Sequence, residues 1–268
     1  MQWSNGPFEA VAERVLVARC EPCGVNVGLV VGDAAAVLVD VGTHPDQGAA
    51  LYRAAVREAE ETVRHPVPVR WAVLTHDHYD HWFGLTGVRA AAGERLLAAA
   101  HAAFGRGHGF EDDANTRVQR QLGLTEVPVP DVRLDSSQCR PEEPWTLDLG
   151  GVGVQVAWLG EAHTPDDLVL RVDVEHGASS AGPRSTRGGQ SGAGYAGRRP
   201  VVFTGDLVEE SGPPQDGPDS NLSGWAAALR KLVEFGGDEA LYIPGHGAPV
   251  DAVFVRAQGE EIAARAQA

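Results

Sequence analysis

Seven consecutive residues, Thr75-His76-Asp77-His78-Tyr79-Asp80-His81, carry three imidazoles and two carboxylates. Imidazole nitrogen and carboxylate oxygen together are the donors of divalent transition metals, so the segment reads as a metal-binding cluster. His76 and His78 are separated by one residue, and an extended segment projects both to the same side, where they can grip one ion. Asp80 and His81 follow where the chain must turn, within reach of a second ion. Three further candidates come in order: His163 in Glu161-Ala162-His163-Thr164-Pro165, Asp206 in Thr204-Gly205-Asp206, and His246 in Pro244-Gly245-His246-Gly247. Three neutral imidazoles on one ion leave a tetrahedral position open, as a catalytic rather than a structural zinc requires.

Each candidate follows an apolar run of strand character. Val69 to Leu74 is broken only by Arg70 and delivers the cluster at its C-terminal end. Val152 to Leu159 alternates apolar residues with Gly153 and Gln155 ahead of His163. Val201-Val202-Phe203 precedes Asp206, and Ala240 to Ile243 precedes His246. Further strands are predicted at Val15–Arg19, Val25–Val31 and Ala36–Val41, and helices at about Gln47–Glu60, Asp113–Leu122 and Gly224–Phe235. In the last helix Ser223 can cap the start, Trp225, Leu229, Leu232 and Val233 form one face, and Gly236-Gly237 ends it.

The H-x-H-x-D-H segment with the ordered His163, Asp206 and His246 resembles the metallo-β-lactamase superfamily, and the resemblance runs from about Val15 to Val250. It implies an α/β fold, a four-layer αββα sandwich with its metal site at strand C-terminal ends, spanning residues 1–268 as one domain. It further implies that His76, His78 and His163 hold one metal, that Asp80, His81 and His246 hold a second, and that Asp206 bridges them. Two zinc ions per chain are expected, with iron or manganese possible. Asp40, at the end of an apolar strand, matches a position that supports the site from behind; the bland alternative is a strand-end turn carboxylate.

The chemistry implied is hydrolysis by a water that the metals acidify, with the scissile carbonyl polarised by one ion and Asp80 orienting the water. The expected substrate is a small ester, lactone or thioester. Iron-dependent persulfide dioxygenases have nearly the same signature and stand as the alternative, as does β-lactamase activity, which the carboxylate at Asp206 in place of cysteine makes less favoured. Two departures bear on the substrate: Trp82 and Phe83 precede Gly84, and Asp166-Asp167 follows His163-Thr164-Pro165. The two aromatics either line an apolar pocket or belong to the core. Tyr79 and His101 are the candidates for protonating a leaving group, each also readable as a packing or loop residue.

The formal net charge is −15, from 22 basic against 37 acidic residues, with Lys231 the one lysine. Such a field repels polyanions, so a small-molecule substrate and no nucleic-acid partner are expected. No apolar run is long enough to cross a bilayer and the N-terminus has no apolar leader, giving a cytoplasmic protein without a membrane partner as the expectation. The sequence is silent on oligomeric state. Cys20, Cys23 and Cys139 are too few for a disulfide scaffold, and Cys20-Glu21-Pro22-Cys23 lacks the further ligands of a zinc site. His65, His108 and His176 read as solvated. Gly177 to Arg199 is rich in Gly, Ser, Ala and Arg and reads as a flexible surface insertion between two strands. An anion-recruiting role for Arg184, Arg187, Arg198 and Arg199 is the functional alternative.

Overall fold

The computed structural model describes residues 2–105, 113–174 and 199–267. His108, His176 and 177–198, including Arg184, Arg187 and Arg198, lie outside the described residues. In chain order the strands are β1 Ser4–Asn5, β2 Glu9–Ala12, β3 Val15–Glu21, β4 Val25–Val31, β5 Ala36–Val39, β6 Val69–Val73, β7 Leu97–His101, β8 Val132–Leu134, β9 Trp145–Asp148, β10 Val152–Trp158, β11 Leu168–Val174, β12 Val201–Glu209 and β13 Leu241–His246. The helices are α1 Pro45–Val63, α2 Tyr79–Trp82, α3 Leu85–Ala92, α4 Ala114–Leu122, α5 Leu222–Gly236 and α6 Ala252–Arg265.

The strands order as β8-β7-β6-β5-β4-β13-β12-β11-β10-β9, with β3 beside β4 and β1 and β2 on β3. Only the pair His246↔Val25 joins β13 to β4, so the sheet divides into two halves that meet at the end of β13. Alternation along the strands divides the core. In β5, Ala36 and Leu38 face the α1/α3 side, while Val37 and Val39 face the other half. In β12, Val201 and Phe203 join Val37 and Val39 in that middle layer, while Val202 turns to Trp225 and Leu229 of α5. Three apolar layers lie between four layers of structure, which is the expected αββα sandwich.

Local chemistry sets the helix ends. Pro45 occupies the first turn of α1, His44 Nδ1 accepts from Asp46 N at 3.1 Å, and Leu51, Ala55 and Ala59 form its buried face. α5 is capped by Asn221, whose Oδ1 accepts from Gly224 N at 2.9 Å, and not by Ser223; the amide reaches the third N–H from two residues further upstream than the hydroxyl expected there. Arg199, described at the edge of the predicted insertion, bonds the carbonyls of Glu239 (2.6 Å) and Ala240 (3.2 Å), tying the start of β12 to that of β13.

Trp82 and Phe83 are core residues. They are 2% and 1% exposed, pack with Phe104 and Leu85, and Trp82 Nε1 donates to Asp77 O at 3.0 Å, so neither faces a substrate. Among the described residues no helix is long and apolar enough to cross a membrane.

Candidate metal centre

The expected convergence is present. His76 and His78 lie in the turn after β6, Asp80 and His81 in α2, His163 beyond the end of β10, Asp206 within β12, and His246 at the end of β13. One potential ligand atom each from His76, His78, His163 and Asp206 lie mutually within 4.8 Å, as do those of Asp80, His81 and His246. Asp206 stands between the groups. Its Oδ2 is 3.7 Å from His76 Nε2 and 3.6 Å from His246 Nε2, and its Oδ1 is 3.2 Å from His81 Nε2. His246 Nε2 is also 3.4 Å from Asp80 Oδ2.

Asp206 reaches this position because Gly205, at φ 52°, packs where a Cβ would come within 2.8 Å of Thr75. Glycine takes that left-handed backbone at little cost and leaves the room. The strand was expected to end before the carboxylate; instead β12 continues through Asp206 to Glu209, past two register shifts against β13.

Each histidine also has a polar neighbour outside the cluster. His76 Nδ1 lies 3.0 Å from Thr75 Oγ1, His78 Nε2 3.4 Å from Asp219 Oδ2, and His81 Nδ1 2.8 Å from Asp40 Oδ2. His246 Nδ1 donates to Cys23 O at 3.1 Å, while His163 Nδ1 lies 3.4 Å from Asp167 Oδ1 without a hydrogen bond. Hydrogen-bonded partners fix ring orientation and tautomer at metal sites. Asp40 also accepts from Thr75 N (2.8 Å) and Thr75 Oγ1 (2.9 Å), and its backbone sits at φ 62°, a strained conformation kept inside the core. It is a support for the site, not a turn residue.

Asp167, Asp219 and the Cys23 carbonyl carried no sequence signal of this role. Asp167 also holds Thr164 N (2.7 Å) and Oγ1 (2.9 Å), which explains one of the two aspartates after Pro165. Its neighbour Asp166 is 1% exposed, both oxygens lack partners among the described residues, and burial, then the Asp77 and Asp167 charges, push its carboxyl well above the usual range.

The electrostatics match a cation site. Burial and then the neighbouring His81 hold His76 well below the ordinary imidazole value. Burial opposes protonation of His81 and His246, yet the Asp206 charge overrides it: His81 is held well above the ordinary value with help from Asp40, and His246 is pushed up to about 10. Asp206 is correspondingly held well below the usual carboxylate range by His81, His246 and His76, although burial opposes this. His76 Nε2, His81 Nε2 and Asp206 Oδ1 are buried without hydrogen-bond partners. Orphaned donors and acceptors pointing into one space are costly unless something binds them, and a divalent ion is the group this mixed N/O set fits.

The leaving-group candidates fare differently. His101 bonds Ser136 Oγ at 3.0 Å and stacks on Trp158 at 5.1 Å, so it packs. Tyr79 adjoins Asp80 in α2, and its hydroxyl pairs with the Cys23 thiol, which Thr43 Oγ1 approaches at 3.5 Å. His65 is exposed and bonds the Asp33 carbonyl at 2.9 Å, away from the cluster.

The family model described as the metallo-beta-lactamase superfamily matches residues 20–246. Among solved structures the chain is similar to a metallo-beta-lactamase from Hirschia baltica (TM-score 0.61, 17% identity, covering 98% of each chain). It is similar to a metallo-beta-lactamase from Pontibacter korlensis (0.61, 17%, covering 98% of this chain and 99% of that one). FIM-1 from Pseudomonas aeruginosa, in a mono-zinc form, is similar at 0.61 and 19% identity, covering 99% of this chain and 97% of that one. No curated protein matches the sequence significantly.

Proposed function

The chain belongs to the metallo-β-lactamase superfamily, and on that premise we propose that it is a dinuclear, zinc-dependent hydrolase of small acyl substrates: esters, lactones or thioesters. The observation that carries the reading is the pair of adjoining donor groups, with Asp206 of the first 3.2 Å from His81 and 3.6 Å from His246 of the second, and with unbonded buried atoms on His76, His81 and Asp206. His76, His78 and His163 would hold one ion, Asp80, His81 and His246 the other, and Asp206 both. Two divalent ions there supply an acidified water and a Lewis acid for the scissile carbonyl.

The protein's own part is positional and electrostatic. Asp80, in α2 and 3.4 Å from His246 Nε2, would orient the attacking water and take up its proton. Asp40 and Asp219 restrain the rings of His81 and His78, so these donors would need little reorganisation when a cation enters.

The acyl preference rests on charge. The leading electrostatic influences on His76, His78, His81, Asp206 and His246 are one another and nearby carboxylates; no arginine or lysine is among them. With a net charge of −15, no arginine or lysine among those influences would help bound ions hold a polyanion. The three similar β-lactamases, at 17–19% identity, establish the fold and leave the bond cleaved to experiment.

The test is kcat/KM for aryl ester, lactone and thioester panels against a phosphodiester and a β-lactam at equal zinc loading, since that ratio measures differential transition-state binding. An acyl substrate should lead. A phosphodiester or β-lactam preferred by about tenfold, roughly 1.4 kcal/mol, would remove the acyl assignment.

A further inference from the structure

Glu209 lies outside the seven residues considered so far and faces the same space. Between β12 and β13, Gly205 pairs with Pro244 and Glu209 with His246, so β12 advances four residues while β13 advances two. In a regular strand Asp206 and Glu209, three apart, would point to opposite faces. The register shift marks an irregular stretch between them, of the kind found beside active sites, in which strict alternation does not hold, and both carboxylates meet His246. Ligand atoms of Asp206, Glu209 and His246 lie mutually within 4.8 Å.

The carboxylate is held in place. Glu209 is 8% exposed, its backbone N donates to Gln258 Oε1 at 3.0 Å, and Ser211 donates to its Oε1 through both N (3.0 Å) and Oγ. The other oxygen, Oε2, has no hydrogen bond among the described residues, and neither does Asp206 Oδ1. A buried and a half-buried carboxylate, with imidazoles but no arginine or lysine among their leading electrostatic partners, make a donor set that a cation would complete.

We propose that Glu209 is a further carboxylate ligand for a divalent cation, forming with Asp206 and His246 a third donor set that adjoins Asp80, His81 and His246. This rests on the two-ion reading above and deepens it. The second ion gains an oxygen donor from a position that otherwise contributes none, and oxygen-rich sets favour harder cations such as Mn2+ over Zn2+ relative to a set without it.

The experiment is equilibrium dialysis of metal-free protein with Zn2+ and, separately, Mn2+, read by elemental analysis, for wild type, Glu209→Gln and Glu209→Asp. Glu209→Gln keeps the volume and an oxygen acceptor for Ser211; Glu209→Asp withdraws the carboxylate by one methylene and carries the test should the amide variant fail to fold. The first ion should bind all three proteins alike. The second should bind the variants tenfold or more weakly, the scale on which supporting residues alter metal affinity, and the loss should be larger for Mn2+. A wild type that takes two ions while a folded variant keeps second-ion affinity within about threefold would overturn the role of Glu209 alone. Equal losses for both metals would overturn the selectivity. A wild type that never takes a second ion would instead overturn the two-ion reading.

Discussion

Asp40→Asn isolates one negative charge behind the site. Asn tolerates the left-handed backbone that Asp40 adopts at φ 62°, so the substitution adds little strain there. Its amide oxygen can keep the 2.8 Å bond from Thr75 N. At the Oδ2 position, however, an NH2 group replaces the acceptor that lies 2.8 Å from His81 Nδ1 and 2.9 Å from Thr75 Oγ1. The Thr75 hydroxyl can rotate and accept instead; the imidazole N–H cannot. One hydrogen bond to a charged group is lost in a buried setting, worth about 1.5–3 kcal/mol. If all of that is expressed in the orientation of His81, second-ion affinity falls roughly ten- to a hundredfold, at about 1.4 kcal/mol per decade. The first ion, whose donors do not touch Asp40 directly except through Thr75 and His76, should bind within a few-fold of wild type. Calorimetric titration of metal-free protein with Zn2+ reads both steps. Unchanged second-step affinity would refute the claim that Asp40 positions His81 for a cation.

Zinc binding should release protons. In the metal-free protein His246 is raised from 6.5 to about 10, so its protonated form contributes stability that is complete below pH 6.5 and is lost as pH rises through about 10. His81 shifts in the same direction, and both must give up a proton to bind metal, so second-ion affinity should climb with pH across that window. Titrations at pH 7 in buffers of different ionisation enthalpy should show net release; proton uptake would contradict the assignment. Gly245→Ala places a Cβ on the Asp206 carboxylate, and its backbone needs no left-handed conformation, so the variant should fold by circular dichroism yet lose at least one ion by elemental analysis; full metal content would show that Asp206 can move away harmlessly. Trp82→Ala should cost about 3–5 kcal/mol, lowering Tm by roughly 6–15 °C, with KM for the best acyl substrate within about threefold of wild type. A tenfold rise in KM with Tm unchanged would return Trp82 to the substrate pocket.

The candidate ligands were legible because metal chemistry restricts residue type: His76, His78, Asp80 and His81 are nearly contiguous, and the ordered family pattern, with an apolar run before each, pointed to His163, Asp206 and His246. Of the groups that hold them, Asp40 was legible through the resemblance, while others come from far away in sequence and were not. Asp219 reaches His78 across 141 residues, and the Cys23 carbonyl reaches His246 across 223. Glu209 escaped notice for another reason: regular strand periodicity puts it on the opposite face from Asp206, and the irregular pairing of β12 with β13 between them is not visible in the sequence. Among elements, β7 is Leu-Ala-Ala-Ala-His, a helix-favouring composition drawn into a strand by pairing with β6 and β8. α6 was missed because its buried face, Ala252, Val255, Gln258 and Ile262, includes a glutamine. That Gln258 is buried to serve β12, accepting from Glu209 N at 3.0 Å and donating to Leu207 O at 2.8 Å.

The central claim is that paired metal ions at these seven residues make the chain a hydrolase. The most direct measurement is hydrolysis of the best acyl substrate during stepwise addition of Zn2+ to metal-free protein, with bound zinc measured at each step. Activity should be absent at the start and rise to a plateau as bound zinc reaches two per chain, and Asp206→Ala should stay near the baseline throughout. Full activity in the metal-free protein, or in Asp206→Ala, would contradict the account.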